Sequence, residues 1–226
     1  MPTEPSRPVR IWDLPTRICH WCLALLVVGM VVTGRVGGEA MPWHARMGYC
    51  VGSLLLFRLA WGFVGGHWSR FAAFRLSPPA IAAYWRGALS LQSSPGHNPL
   101  GAVAVYAFLI FLLAQVGTGL FSDDRADFSG PLSVLVSNRA VRLFTGYHKN
   151  IGQWIVIGLV LLHVGAIAFY RLRKRQDLIG PMLHGDKHLP PATRASRDDA
   201  RSRLGALVVL GMSSAAMAWL VSLGGG

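Results

Sequence analysis

Two histidines stand far apart within one apolar stretch, residues 146–170, which reads GYHKNIGQWIVIGLVLLHVGAIAFY. His148 and His163 are fifteen residues apart, and along an α-helix this separation is roughly 22 Å. Fifteen steps of about 100° end within about 60° of the starting direction, so both rings project from one side of a helix. An ionisable side chain inside a membrane helix is costly and indicates a functional site. The spacing therefore predicts two redox centres, one near each membrane surface.

The composition agrees with a membrane location for this stretch. The chain has 226 residues and a mean hydropathy of +0.41, with 52% hydrophobic and only 14% charged residues. It is too apolar for an ordinary soluble domain, and its length suits one membrane unit. The chain has a net charge of +12, and its basic residues lie between long apolar runs. In that position, basic residues act as topology signals and as contacts to anionic lipid. We therefore expect membrane lipid as a partner and no nucleic acid.

Apolar runs of nearly membrane-spanning length divide the chain into segments. Residues 1–17 form a polar amino-terminal segment, and residues 171–203 form a basic linker that we expect to be mobile. Between them, residues 18–170 contain four predicted spans, and a fifth span follows at 204–223. The first run has no small-residue cleavage site after it, so we expect it to be retained as a helix. The predicted spans cover residues 18–33, 43–64, 99–121, 148–170 and 204–223.

The Lys and Arg content of the connecting segments predicts how the spans are oriented in the membrane. The segments 1–17, 65–98 and 171–203 together contain fifteen Lys and Arg residues. The segments 35–47 and 122–149 together contain six. The amino terminus is therefore predicted to be cytoplasmic, and five spans place the carboxyl terminus outside. Within the second connection, Ser77 and two prolines precede AIAAYWRGALSL, which predicts a capped amphipathic helix in the membrane interface.

This topology sorts the histidines by depth into two candidate pairs. His44 and His148 open the second and fourth spans on the outer side, whereas His20 and His163 lie toward the cytoplasmic side. The second pairing requires the first helix to start before residue 18 or to tilt. His67 or His97 remains an alternative to His20. The spacing of His184 and His188 can suit a metal, but both lie in the linker and are expected to be solvated.

Two imidazoles facing each other across an apolar gap suit a planar iron porphyrin with both axial positions filled. Structural zinc would need four close ligands, which two facing imidazoles do not supply. An iron without an open position transfers electrons rather than binding oxygen. Covalent haem attachment requires Cys-x-x-Cys-His, whereas Cys19 and Cys22 flank His20 and are expected to be packing residues, as is Cys50. The candidate partners of haem propionates are Arg17, Arg46 and Arg58.

Several short motifs together resemble one family. They are Arg17-x-x-His20-Trp21, His44 followed by Phe57-Arg58-Leu59-x-Trp61-Gly62, Gly96-His97-Asn98-Pro99, and the helix from His148 to His163. This combination is similar to the bacterial cytochrome b561 family, which is related to the cytochrome b subunits of nickel-iron hydrogenases. The resemblance covers about residues 9–183.

The resemblance implies an all-α integral membrane protein of the bacterial inner membrane, with a four-helix transmembrane bundle that holds two b-type haems. The axial ligands carried over are His20, His44, His148 and His163. The fifth transmembrane helix lies outside this common core. The family also exchanges electrons with the quinone pool and with a redox partner outside the membrane.

Three functions follow as hypotheses. The first is a di-haem electron carrier of the respiratory chain between quinone and a periplasmic redox protein, such as a c-type cytochrome, which would dock near Asp123, Asp124 and Asp127. The second is a superoxide:quinone oxidoreductase, served by a basic funnel. The third is a haem-free membrane anchor or assembly subunit. A homodimer is compatible with all three. The funnel candidates are Arg35, Arg46, Arg142 and Lys149.

Overall fold

The structure, a computed structural model, describes residues 6–74, 76–86, 95–125 and 128–224. Arg75, Asp127 and the last part of the predicted interfacial helix, 87–91, lie outside the described residues. The helices are α1 Leu14–Val36, α2 Met41–Val64, α3 Pro78–Trp85, α4 Pro99–Leu120, α5 Asn138–Tyr147, α6 Gln153–Arg173, α7 Ile179–His184 and α8 Ala200–Ser222. There are also two short strands, β1 Arg7–Arg10 and β2 Asp186–Leu189, and several short 3₁₀ turns.

The prediction of five apolar spans is confirmed. Five helical segments are long and apolar enough to cross a membrane, and many of their apolar side chains are exposed, among them Leu25, Phe63 and Leu162. Such exposure suits contact with lipid tails. The first helix starts at Leu14, four residues before the predicted start. It therefore begins before residue 18, as the pairing of His20 with His163 requires.

Polar side chains fix where several helices begin, because the first turn of a helix has backbone N–H groups without helical partners. Asp13 Oδ1 accepts from Thr16 N at 2.9 Å at the start of α1. Asn98 Oδ1 accepts from Gly101 N at 2.7 Å before α4. The predicted cap of the interfacial helix is confirmed, since Ser77 Oγ accepts from Ala80 N.

The fourth span is longer than the sequence indicated. Helical structure runs from Asn138 to Arg173 and contains a π-helical turn at His148–Gly152. The prediction that 122–147 is only a polar connection is therefore wrong for its last ten residues. These residues form α5, which exposes Arg139 and Arg142. The span was predicted from hydropathy alone, and a helix with a polar face has too low a hydropathy to be included.

The chain divides into two compact units. Unit 1 comprises Met1–Ile18, Arg58–Ala107 and Leu162–Leu207, and unit 2 comprises Cys19–Phe57, Phe108–Leu161 and Val208–Gly226.

In unit 1 the amino-terminal segment pairs with the 171–203 segment. Strands β1 and β2 form an antiparallel ladder in which Arg7 pairs with Leu189 and Arg10 with Asp186. Arg10 also forms an ion pair with Asp186 at 3.0 Å. The prediction of a mobile linker is therefore wrong for this part of the 171–203 segment, because its backbone donors and acceptors pair with a strand nearly the whole chain length away. The ladder and an isolated antiparallel bridge between Asp123 and Ser129 are the β-structure of the described residues.

The fifth helix packs inside unit 2. Met217 of α8 is buried with Leu120 and Leu132. A Cβ placed on Gly52 would lie 2.8 Å from the sulfur of Met217, so the glycine allows this close approach. The last part of α8 therefore helps to build unit 2.

Candidate cofactor-binding site

The structure brings His44 and His148 together in unit 2. Their ring centroids are 6.1 Å apart and their planes meet at 84°. His44 lies in the first turn of α2 and His148 opens the π-helical turn. Single π-turns inside α-helices occur frequently at functional sites. The two rings are thus neighbours, as the depth argument predicted, while their role as ligands remains a prediction.

Hydrogen bonds determine which ring nitrogen carries the proton in each histidine. His44 Nδ1 lies 3.1 Å from the carbonyl oxygen of Met30, and His148 Nδ1 lies 2.9 Å from the carbonyl oxygen of Gln115. A carbonyl can only accept, so both Nδ1 atoms donate and both Nε2 atoms keep a lone pair. Metal-ligating histidines usually donate their second ring nitrogen in this way.

The separation of the rings fits one shared metal ion. Imidazole nitrogens bind metals at about 2.0–2.1 Å, and each ring centroid lies about 1.2 Å behind its nitrogen, so two rings on opposite sides of one ion have centroids about 6.4–6.6 Å apart. The observed separation is 6.1 Å. The donor set, two neutral imidazoles, also suits the axial positions of a haem iron.

A cavity of about 430 Å³ opens beside the two rings. This volume lies within the usual range of roughly 300–1,000 Å³ for small-molecule sites. Its walls are mostly apolar, with Val27, Val51, Leu112 and Val156 among the lining residues. Unit 2 therefore offers both ligand atoms and space for a large apolar group.

Positive charge at this cavity comes from two of the four funnel candidates, and not from Arg46, the candidate propionate partner. Arg35 and Lys149 line it, and the guanidinium of Arg35 lies 4.5 Å from the ring centroid of Trp154. Arg46 is not among the lining residues, and its guanidinium lies 5.1 Å from the ring centroid of Trp43. Arg35 and Lys149 are therefore better placed than Arg46 to bind the carboxylates of a haem in this cavity.

His20 and His163 belong to different units. His20, half-buried in α1 of unit 2, has its ring 5.2 Å from that of Trp21. His163 is half-buried in α6 of unit 1. Their pairing at a second haem stays a prediction.

Both other predicted arginines lie in unit 1. Arg17 donates to the carbonyl oxygen of Leu183. Arg58 is buried, with its guanidinium 5.0 Å from the ring centroid of Phe71. Burial of a guanidinium in a membrane helix agrees with the expectation of an anionic partner, and the identity of that partner remains a prediction.

The remaining histidines also lie in unit 1. His97 is packed between the rings of Trp12 and Phe74, at centroid distances of 4.6 and 4.8 Å. Burial lowers the pKa of His67, and the nearby charges of Arg194 and Arg70 lower it further. His184 and His188 are exposed. The structure therefore places His97 in a packed aromatic setting and the two linker histidines at the surface.

Sequence reasoning missed the groups that hold the two rings. They are the carbonyls of Met30 and Gln115, the Thr33 hydroxyl at 3.2 Å from His44 Nδ1, and the Gln115 amide, which donates to the His148 carbonyl at 3.0 Å. Backbone carbonyls have no sequence signature of their own. One signal was present, however, because a glycine follows each carbonyl residue by four positions, at Gly34 and Gly119.

Fold and site together define a class, namely helical membrane proteins with paired histidines from neighbouring helices beside a cavity. The comparisons with known proteins agree. The family model described as prokaryotic cytochrome b561 matches residues 11–185. The chain therefore belongs to the prokaryotic cytochrome b561 family.

Curated relatives carry related names. A "Probable Ni/Fe-hydrogenase B-type cytochrome subunit" of Bradyrhizobium diazoefficiens is 27% identical over 221 residues, covering 80% of this chain and 87% of the relative. One of Azotobacter vinelandii is 28% identical, covering 78% and 87%. A "Probable Ni/Fe-hydrogenase 1 B-type cytochrome subunit" of Escherichia coli K12 is 24% identical, covering 75% and 83%. No solved structure matches the chain significantly.

Membership confirms the resemblance read from the sequence and the all-α membrane fold. The protein is a multi-pass membrane cytochrome of the b type, and such proteins transfer electrons within membranes. The matched region ends before α8, so the helix that completes the core of unit 2 lies beyond the part that the family model recognises.

Proposed function

We propose that this protein is a di-haem cytochrome that carries electrons between the quinone pool and a redox protein outside the membrane. His44 and His148 are the axial ligands of one haem b, and His20 and His163 are those of the other. The observation that carries the proposal is the His44–His148 pair, with rings 6.1 Å apart and both Nδ1 atoms donating to carbonyls.

A haem bound there would supply one-electron redox chemistry, and His44 and His148 would hold it. The chain's own residues orient it and set its environment. The Nδ1 hydrogen bonds hold each imidazole in the tautomer that leaves Nε2 available to the iron. The apolar lining excludes water, and Arg35 and Lys149 balance the carboxylates of the haem.

The redox partner is a nickel–iron hydrogenase or a c-type cytochrome. The names of the relatives support the hydrogenase. A c-type cytochrome would meet the acidic residues Asp123 and Asp124. The two partners are distinguished by measuring the rate of haem reduction when purified protein is mixed with each reduced partner in turn, with and without a quinone analogue.

Unit 1 supports a cytoplasmic amino terminus in the inner membrane. The three segments with the most Lys and Arg all contribute to this unit: β1 pairs with β2, and Trp68 Nε1 donates to the carbonyl of Arg194 at 2.7 Å. Their contacts require one side of the membrane, and a strongly basic side is cytoplasmic. A reporter fused to the amino terminus that is active only outside the cytoplasm would contradict this orientation.

The decisive experiment counts haems and assigns them. The full-length protein is purified in detergent, extracted haem is quantified per chain, and reduced-minus-oxidised spectra are recorded for His20→Ala, His44→Ala, His148→Ala and His163→Ala. We expect two non-covalent b haems per chain. Changing His44 or His148 removes one haem, and changing His20 or His163 removes the other.

The exposed His188 provides the matched control, and His188→Ala should retain both haems. One haem per chain with a silent His20→Ala change would favour His67 or His97 as the ligand, or a single-haem protein. Purified protein without haem would exclude the electron-transfer proposal.

A further inference from the structure

The two site histidines are held by the same arrangement on two different helices. The carbonyl of Met30 in α1 accepts from His44 Nδ1, and the carbonyl of Gln115 in α4 accepts from His148 Nδ1. Four residues after each carbonyl is a glycine, Gly34 or Gly119. We call each pair, Met30/Gly34 and Gln115/Gly119, a carbonyl–glycine cradle.

The spacing of four has a physical reason. In an α-helix, the carbonyl of residue i already accepts from the N–H of residue i+4, and a second donor must reach its remaining lone pair from the side. Side chains tilt toward the helix amino terminus, so the side chain of residue i+4 covers the turn that contains this carbonyl. Glycine at i+4 removes that cover and lets an imidazole approach.

The distances show how closely each ring packs against its glycine. A Cβ on Gly119 would lie 2.9 Å from Cε1 of His148, and a Cβ on Gly34 would lie 3.2 Å from Cε1 of His44. Both distances are below the optimal carbon–carbon separation of about 3.5–4.0 Å. Each ring therefore rests against the glycine while its Nδ1 is tied to the carbonyl, and these two constraints fix its rotation.

The cradle on α4 also forms a hydrogen bond to the backbone of His148. The side-chain amide of Gln115 donates to the carbonyl of His148 at 3.0 Å. A Cβ on Gly152 would collide with the amide oxygen of Gln115, so the π-helical turn leaves space for this side chain. Gln115 thus holds His148 at its ring and at its main chain.

We propose that the carbonyl–glycine cradles at Met30/Gly34 and Gln115/Gly119 are positioning elements that set the rotation of the His44 and His148 rings, and so hold the two axial ligand planes nearly perpendicular. The inference rests on the proposed function. The observed angle between the planes is 84°. Perpendicular axial imidazoles give a low-spin ferric haem a strongly anisotropic electron paramagnetic resonance signal, whereas parallel ones give a more rhombic signal.

The test compares Gly119→Ala and Gly34→Ala with Gly117→Ala in the full-length protein. Gly117 is the matched control because it lies on the same helix as Gly119 and a Cβ there would meet nothing within 4 Å. Haem content and the ferric resonance spectrum are recorded for each. We expect a strongly anisotropic signal from this site in the wild type and in Gly117→Ala, and a less anisotropic, shifted signal in the other two variants.

Each outcome decides the proposal. Wild-type spectra in both Gly119→Ala and Gly34→Ala would overturn it while leaving the proposed haem site intact. Loss of one haem from Gly119→Ala with unchanged helix content supports it, because the ring is then displaced from its position. If Gly119→Ala loses its helical structure, the milder Gly34→Ala tests the proposal. A shifted resonance signal in Gly34→Ala then supports the proposal, and an unshifted signal overturns it. A wild-type protein without haem overturns both this proposal and the proposed function.

Discussion

Buried polar groups are handled differently at Asp13 of unit 1 and at the histidine pair of unit 2. Asp13 is fully buried, and both of its carboxylate oxygens accept hydrogen bonds. His44 and His148 each donate from Nδ1. In both rings these hydrogen bonds are made by Nδ1, so Nε2 is the nitrogen that keeps a lone pair.

The carboxylate of Asp13 connects three parts of unit 1. It accepts from Thr16 N at the start of α1, from Gly66 N at 2.9 Å after α2, and from the hydroxyl of Ser69 at 2.8 Å. Trp61 Nε1 approaches both carboxylate oxygens at 3.3 Å. Protein donors alone compensate this buried group, which is the condition for a structural role.

The contrast indicates which buried polar groups serve a cofactor. A carboxylate saturated by its own chain has no capacity for a ligand, whereas two imidazoles that each retain a lone pair beside a cavity have that capacity. Unit 1 is therefore organised around a carboxylate satisfied by internal hydrogen bonds, whereas unit 2 keeps two free imidazole lone pairs at its histidine pair.

The largest effect should come from removing the carboxylate in unit 1. Asp13→Ala leaves several buried donors unpaired, which costs about 3 kcal/mol and should lower Tm by roughly 6–12 °C in a chain of this size. Thermal unfolding in detergent, followed by circular dichroism, measures the change. The control is Asp199→Ala, since Asp199 also caps a helix, where it accepts from Ser202 N, but is exposed to solvent. Equal losses in the two variants would contradict the special role of Asp13.

A pH effect of intermediate size should arise at Lys187, also in unit 1. Burial lowers the pKa of its amine from 10.5 to about 8, while the amine donates to the carbonyl of Pro95. Below pH 8 the folded and unfolded chains both carry the proton. As pH rises from about 8 to 10.5, the folded state loses the proton first, so stability rises by on the order of 2–3 kcal/mol.

The measurement for Lys187 is Tm at several pH values between about 7 and about 10. Lys187→Met should remove this rise, because methionine has no proton to lose. A wild-type Tm that rises no more than that of the variant would show that the carbonyl acceptors offset the burial of the amine.

The smallest effect should appear at the cavity of unit 2. Arg35→Gln removes a positive charge from its lining, and this change favours the ferric haem and lowers the midpoint potential. Because Arg35 is exposed, the effect is screened to about 0.2–1 kcal/mol, which equals roughly 10–40 mV for one electron. Redox titration measures the shift. Arg46→Gln is the control, and a larger shift in that variant would favour the original assignment of Arg46.

Much of this architecture is readable from local sequence. Apolar runs of about twenty residues revealed five spans, since a hydrocarbon core accepts only such segments. The placement of His44 and His148 at similar depth followed from counting residues from the span ends. The boundaries were less accurate, because a helix such as α5 continues beyond the apolar run when one of its faces is polar.

Contacts between distant segments were not readable in this way. The pairing of β1 with β2 joins residues about 180 positions apart, and the strand-forming part of the 171–203 segment has the composition of a linker. The choice of Arg35 and Lys149 over Arg46 at the cavity depends on the direction of individual side chains, which residue spacing does not specify.

The sequence by itself determined the helical membrane class, the family and the histidines that could bind haem, because hydropathy, charge and residue type act locally along the chain. Only the tertiary structure decided how the rings of His44 and His148 are held. Their hydrogen-bond acceptors are main-chain carbonyls of other helices, and every residue has such a carbonyl. Packing selects two of them, where glycine leaves room for an imidazole.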